Sequence, residues 1–248
     1  MSNWNVDFLQ KDPVHKDCKR ALIILNQPFS RGLFHRLWNS TQLHYCADGG
    51  SNRLYDTLND SPTREQYLPD LIKGDLDSIR SDVRAYYELK GVRVVQDHDQ
   101  NSTDLMKCIR TLQDLEETEG SKQYDIILLG GLSGRLDQTI HTLSYLHKLR
   151  KTRRHVYAVT DDNIGWVLDE GTHDIAIDHD VLGQTCGLLP VGIDSTKLST
   201  SGLKWNLNED ISSFDGLVST SNHLVPGQDV RISTTRPIWW TVELKCCD

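Results

Sequence analysis

The chain has 248 residues, enough for one large domain or two smaller ones and for a substantial buried core. Hydrophobic residues make up 38% and charged residues 25%, which excludes wholesale disorder. Lys and Arg total 27 against 35 Asp and Glu, a net charge of −8, so broad binding to nucleic acid or to an anionic membrane is a poor expectation.

The first nineteen residues are polar and of mixed charge, with no apolar stretch of the secretory kind, and are expected to form a poorly ordered extension. No run of 18 apolar residues follows, so no membrane span is expected. Short apolar runs then recur at 21–25, 43–47, 71–72, 92–95, 126–129 and 156–159, each bounded by Asn, Asp or Gly, as buried strands of a parallel sheet are. Between them lie helical patterns at 82–90, 102–119 and 136–150. The second places Leu105, Cys108, Ile109, Leu112 and Leu115 at helical spacing. The alternation predicts an open, mostly parallel α/β sheet flanked by helices.

Beyond about residue 162 the texture changes. Long helical patterns stop, 173–178 alternates, and Ser and Thr become dense near 195–200. Gly and Asp or Asn punctuate every eight to twelve residues, which predicts an all-β sandwich. Two domains are therefore expected, 1–162 and 163–248. Cys18, Cys46, Cys108, Cys186, Cys246 and Cys247 contain no CxxC pair, so free thiols in a reducing cytoplasm are expected rather than zinc or a disulfide framework. The terminal Cys246-Cys247-Asp248 is read as the ragged end of a last strand.

Four segments place Gly and Asp at a predicted strand end, where open α/β sheets bind ligands: 47–50 (ADGG), 74–78 (GDLDS), 99–104 (DQNSTD) and 130–137 (GGLSGRLD). Asp75 and Asp77, at i and i+2 on an extended segment, would point the same way and repel unless a cation sat between them, and hard oxygen ligands suit Mg2+. A lone DxD is also what a solvated turn looks like. With Gly74 before it and Asp104 available from the next strand end, a metal site is the favoured reading. Asp104 serves equally well as an acid complementing a helix dipole behind a cap. Asp97, His98 and Asp99 are read as a solvated turn. The glycines of 130–134 either let backbone N–H groups approach an anion at a helix N-terminus, with Arg135 adding a charged donor, or simply make a tight turn. Asp137 is either a dipole-complementing acid or a fourth site carboxylate. No P-loop and no GxSxG elbow occurs. In the β-rich part, Trp205 is flanked by polar residues. It is either a half-buried strand residue or an aromatic wall for a flat cationic ring. Ser219, Thr220, Ser221 and Asn222 offer donors nearby, and Trp239 and Trp240 are read as packing.

Taken together, ILNQP (24–28), ADGGSN (47–52), PDLIKGDLDSI (69–79), DQNSTD (99–104), GGLSGRLDQ (130–138), TSGLKWNL (200–207) and STSN (219–222) resemble the thiamine pyrophosphokinase family of the eukaryotic type over roughly 20–245. The resemblance implies an α/β catalytic domain followed by a β-sandwich, a homodimer whose active site is shared across the interface, and Mg2+-dependent transfer of a pyrophosphoryl group from ATP to the hydroxyl of thiamine. By motif, Asp75, Asp77 and Asp104 would hold metal and phosphates. Gln100 and Thr103 would line the reacting centre. Asp48, Gly49, Gly50, Thr103, Gly130, Gly131, Arg135 and Asp137 would lie at the nucleotide. Trp205, Ser219, Ser221 and Asn222 would contact thiamine from the partner subunit. Two alternatives remain at this point. One is a haloacid-dehalogenase-type phosphohydrolase using Asp75 as nucleophile, against which Lys73-Gly74 interrupts the apolar strand. The other is a non-catalytic binding module.

Overall fold

The computed structural model describes residues 2–11 and 18–245. In chain order the strands are β1 (Ser2–Trp4), β2 (Arg20–Ile24), β3 (Leu43–Ala47), β4 (Leu71–Gly74), β5 (Arg93–Gln96), β6 (Asp125–Leu129), β7 (Val156–Val159), β8 (Asn163–Leu168), β9 (Gly171–Ile175), β10 (Leu182–Leu189), β11 (Thr196–Ser201), β12 (Asp210–Ser212), β13 (Ser219–His223), β14 (Val230–Thr234) and β15 (Ile238–Leu244). The helices are α1 (Arg31–Asn39), α2 (Gly50–Thr57), α3 (Ser61–Gln66), α4 (Ser81–Leu89), α5 (Asp104–Glu119) and α6 (Leu136–Leu149). By packing the chain separates into two compact units, His15–Gly134 and Met1–Val14 with Arg135–Asp248.

In the unit His15–Gly134, five strands lie in the order β6-β2-β3-β4-β5, and every pair is parallel. The chain starts in the middle at β2, steps outward to β5, and returns to the other side of β2 with β6. That reversal is a topological switch point, and the ligand crevice of such sheets lies beyond the carboxyl ends there. Continuous apolar runs explain the strands: Leu22, Ile23 and Ile24 in β2 and Ile126, Ile127, Leu128 and Leu129 in β6 are fully buried. Helix α5 turns Leu105, Cys108, Ile109 and Leu112 inward. Its start is capped by the Thr103 side chain, which accepts from the Met106 N–H, and its end by Gly120 in the left-handed region (φ +56°).

The other unit holds two sheets, β1-β9-β14-β11-β12 and the antiparallel run β13-β10-β15-β8-β7. Trp4, on the first sheet, stacks on Trp166 of the second with ring centroids 5.7 Å apart, and Trp166 meets Trp240 edge-on, so indoles fill the space between the layers. The β-sandwich expected from the sequence is present, and Trp239 and Trp240 are buried.

Two expectations are corrected. Residues 2–11 are an ordered part of the sandwich: β1 pairs parallel with β9, Trp4, Phe8 and Leu9 are buried, and the Trp4 indole N–H donates to His173 Nδ1 at 3.0 Å. Apolar residues scattered through a polar stretch carry little periodic signal, which is why the segment reads as loose. Strand β7 pairs antiparallel with β8. Packing groups α6 and β7 with the antiparallel strands. The second is that Asp75 to Asp77 is not extended: β4 ends at Gly74, and Leu76 takes a left-handed φ of +64°. The reading of Cys246-Cys247-Asp248 as a ragged strand end lies outside the described residues. Among those described, Cys18, Cys46, Cys108 and Cys186 are free thiols. No helix among them is long and apolar enough to cross a membrane.

Candidate active site

Three carboxylates from three separate strand ends converge. Asp48 follows β3, Asp75 follows β4, and Asp104 opens α5 after β5; one oxygen from each lies within 4.8 Å of the others. Gly74 makes the convergence possible. A Cβ there would stand 2.6 Å from the Asp48 Cβ and 2.8 Å from Asp104 Oδ1, distances that real side chains do not tolerate.

Asp48 is nearly inaccessible, and its two oxygens accept the backbone N–H groups of Ser78 (2.9 Å) and Ile79 (3.0 Å). It thus ties down the loop after β4, which Asn52 also grips by accepting from Arg80 N–H and donating to the Ser78 carbonyl. Asp104 Oδ1 accepts from the Asp75 N–H (3.2 Å) and from Lys107 Nζ (3.3 Å), and both bonds leave Oδ2 to a ligand. Burial raises the proton affinity of Asp48, and backbone N–H donors offset it while Asp104 and Asp75 add to it. Burial likewise raises Asp104, with Lys107 opposing and Asp75 reinforcing. Like charges held this close call for a cation. Oxygen donors alone, partly charged and partly buried, fit Mg2+, which binds through one or two carboxylates plus phosphate.

The turn read from Asp97 and Asp99 is a hydrogen-bonded one. Asp97 Oδ1 accepts Asp99 N–H, while Asp99 accepts Asn101 N–H and the Ser102 hydroxyl. The Asp99 N–H, with the charges of Lys73 and Lys107, holds the Asp97 carboxyl below its ordinary value. Gln100 is exposed on this turn.

Asp77, expected beside Asp75 as a ligand, is exposed and outside the three-carboxylate group. With Leu76 left-handed, its N–H turns back to Asp75 Oδ1 (3.2 Å) and its own carboxylate accepts from the Ser78 hydroxyl. Gly49 and Gly50 start α2 against the end of β2. A Cβ on Gly49 would lie 2.3 Å from Asn26 Nδ2 and one on Gly50 2.2 Å from the Ile24 carbonyl oxygen. Gly130, Gly131 and Gly134 all have positive φ, as both readings of that loop require. Lys107 was not foreseen. It is 99% buried beside the acids, and its only sequence signal is a lysine among the apolar positions of α5.

In the unit Met1–Val14 with Arg135–Asp248, α6 has no side-chain N-cap, and Arg135 and Asp137 pair at 2.6 Å, both largely exposed. Trp205 is 52% exposed. Its backbone is clamped by the buried Asn222, which accepts from Trp205 N–H (3.2 Å) and donates to its carbonyl (2.8 Å). Its ring lies 5.0 Å from that of His223, and Lys204 Nζ stands 4.5 Å from its centroid. Ser219 is buried. Ser221 is exposed with a left-handed φ of +56°, a conformation that non-glycine residues hold at a cost. Ser221 lines a cavity of about 350 Å³ with Asn163, Thr185, Cys186, Thr220 and Glu243.

An all-parallel sheet with a switch point, a carboxylate triad beyond its carboxyl edge and an appended β-sandwich define an α/β enzyme of the phosphate-handling kind. Two family models match, the thiamin pyrophosphokinase catalytic domain over residues 34–158 and the thiamin pyrophosphokinase vitamin B1 binding domain over 172–239. Thiamine pyrophosphokinase 3 of Oryza sativa is 37% identical over 235 residues, covering 91% of this chain and 87% of its own. Thiamine pyrophosphokinase of Saccharomyces cerevisiae is 31% identical, covering 94% and 89%. The yeast thiamin pyrophosphokinase crystal structure superposes with a TM-score of 0.85 at 30% identity, over 98% of this chain and 91% of that one. The Candida albicans enzyme matches at 0.85 and 26%, over 98% and 93%. The chain belongs to the thiamin pyrophosphokinase family.

Proposed function

We propose that the chain catalyses transfer of a pyrophosphoryl group from ATP to the hydroxyl of thiamine, releasing thiamine diphosphate and AMP. The observation that carries this reading is the convergence of Asp48, Asp75 and Asp104 at the carboxyl edge of the parallel sheet of a family member. The hydroxyl oxygen of thiamine forms a bond to the β-phosphorus, the bond between that phosphorus and the oxygen bridging to the α-phosphate breaks, AMP leaves, and the hydroxyl proton passes to a site carboxylate. Phosphoryl chemistry of this kind needs positioning and charge neutralisation more than a covalent nucleophile.

Asp75 and Asp104 would hold Mg2+, with Asp48 behind them and Asp77 able to join only if its turn opens. When bound, the ion neutralises phosphate charge. Lys107 keeps Asp104 oriented. Gly130, Gly131, Arg135 and Asp137 are assigned to the nucleotide, with Gln100 and Thr103 toward the reacting centre.

Thiamine carries a permanent positive charge, and the exposed Trp205 offers it a ring face, with Ser219, Ser221 and Asn222 alongside. We assign these residues to the site of a second copy in a homodimer. The exposed Trp205, Ile211 and Phe214 of the sandwich support that assembly. The free thiols support a cytoplasmic setting. Family membership decides against the dehalogenase-type alternative. The test is product analysis: AMP and thiamine diphosphate should appear one for one, dependent on thiamine and Mg2+. Release of phosphate or ADP instead would refute the reading.

A further inference from the structure

The glycine loop after β6 is held by one side chain from the adjacent strand end. Gln27 stands just past β2 and is 8% exposed. Its Oε1 accepts the Gly131 N–H at 2.8 Å and the Ser133 hydroxyl at 2.9 Å, and its Nε2 donates to the Ser133 carbonyl. The loop has little regular structure of its own to fix it. Gly130, Gly131 and Gly134 take φ of +105°, +93° and +79°, conformations that glycine adopts among many others. A Cβ on Gly130 would lie 3.3 Å from both Cβ and Oε1 of Gln27, so amide and loop are closely fitted.

We propose that Gln27 is a positioning residue for the nucleotide. It takes the Gly131 N–H itself and so fixes the 130–134 loop in the shape that presents the loop's remaining backbone N–H groups to phosphate at the β2/β6 switch point. This rests on the reading that the chain uses ATP. A residue needed only to fill space could be any apolar side chain of that volume. Three hydrogen bonds to one short loop specify a conformation instead. An amide is also the group the place requires. It both accepts and donates, whereas a carboxylate could not donate to the Ser133 carbonyl and would set a negative charge under an anion site.

The test compares Gln27→Met and Gln27→Glu with the full-length wild type by steady-state kinetics and thermal melting. Methionine keeps the volume and deletes all three bonds. We expect KM for ATP to rise by about tenfold or more, KM for thiamine to stay within about twofold, and the melting temperature to fall only slightly. Glutamate keeps the two accepting bonds and should raise KM for ATP further, because of its charge. Should Gln27→Met fail to fold, Gln27→Glu carries the comparison. An unchanged KM for ATP, equal rises for both substrates, or a loss confined to kcat would overturn the role of Gln27 while leaving the activity intact. A wild type that forms no AMP from ATP would overturn the activity and this inference together.

Discussion

Replacing Asp104 by Asn should make the metal-free protein more stable and the enzyme inactive. At 4.8 Å, with an effective dielectric constant of about 20, two unit charges repel by about 3.5 kcal/mol. Asp104 faces two such neighbours. Against this, Lys107 at 3.3 Å attracts it by about 5 kcal/mol. The substitution removes both repulsions and one attraction, and the Asn oxygen can still accept from the Asp75 N–H. Asp104 is partly exposed, so solvent screening shrinks the balance to roughly 1–2 kcal/mol in favour of Asn. For a chain of this size that is a rise of about 3–6 °C in melting temperature. The sign follows from linkage. Burial raises the Asp48 and Asp104 carboxyls, so between the ordinary Asp value (about 3.9) and the raised ones the folded state holds more protons than the unfolded state. Stability therefore falls as pH rises through that window, and the full cost is present at neutral pH. The assay is thermal melting at neutral pH in EDTA and again in excess Mg2+, alongside turnover. The wild type should gain about 2–3 kcal/mol from Mg2+ at a hundredfold excess over its dissociation constant. Asp104→Asn should gain much less and should not turn over. A variant that melts lower than wild type in EDTA, or that gains as much from Mg2+, would refute the electrostatic reasoning.

Gly74→Ala should cost about 1–3 kcal/mol and abolish Mg2+-dependent stabilisation, because its Cβ would collide with Asp48 and Asp104; a melting curve with and without Mg2+ checks both. Trp205→Ala should raise KM for thiamine at least about fivefold while changing KM for ATP little, since a cation on an indole face is worth about 1–2 kcal/mol; an unchanged thiamine KM would remove its role. Burial holds His35, His141, His147 and His173 below the ordinary 6.5. The unfolded chain therefore binds more protons just below that value, and stability should decline as pH falls from about 6.5 toward 5. Trp4→Phe removes the indole bond to His173 and should cost about 1 kcal/mol above that range; melting across pH 5–8 measures both effects.

The sequence made the parallel sheet legible because β2 throughout, and most of β3, β4 and β6, are buried and announce themselves as apolar runs. It also carried the Gly-Asp grammar at strand ends, and three of those four segments meet in space. What it did not carry was direction. Asp77 sits two residues from Asp75, yet the left-handed Leu76 between them turns it to solvent. Asp48, expected near the nucleotide, joins the carboxylate group because Gly74 leaves room, and room is a property of the packed state. Lys107 acts on Asp104 one helix turn away, whereas Gln27 acts through partners 104 to 106 residues away that only the fold brings to it. Helices α1, α2 and α3 are short, and propensity alone does not declare elements whose stability comes from docking on the sheet. The small sandwich strands were visible as texture but not one by one, since Ser- and Thr-rich strands of five or six residues alternate weakly.

The most direct test of the carboxylate site is a crystal of the protein grown with Mn2+ and a non-hydrolysable ATP analogue, read by anomalous scattering. The expected map shows a peak about 2.1–2.3 Å from oxygens of Asp75 and Asp104, touching the analogue's phosphates. Phosphates bound with no anomalous peak at those two carboxylates, or a peak held by other residues, would contradict it.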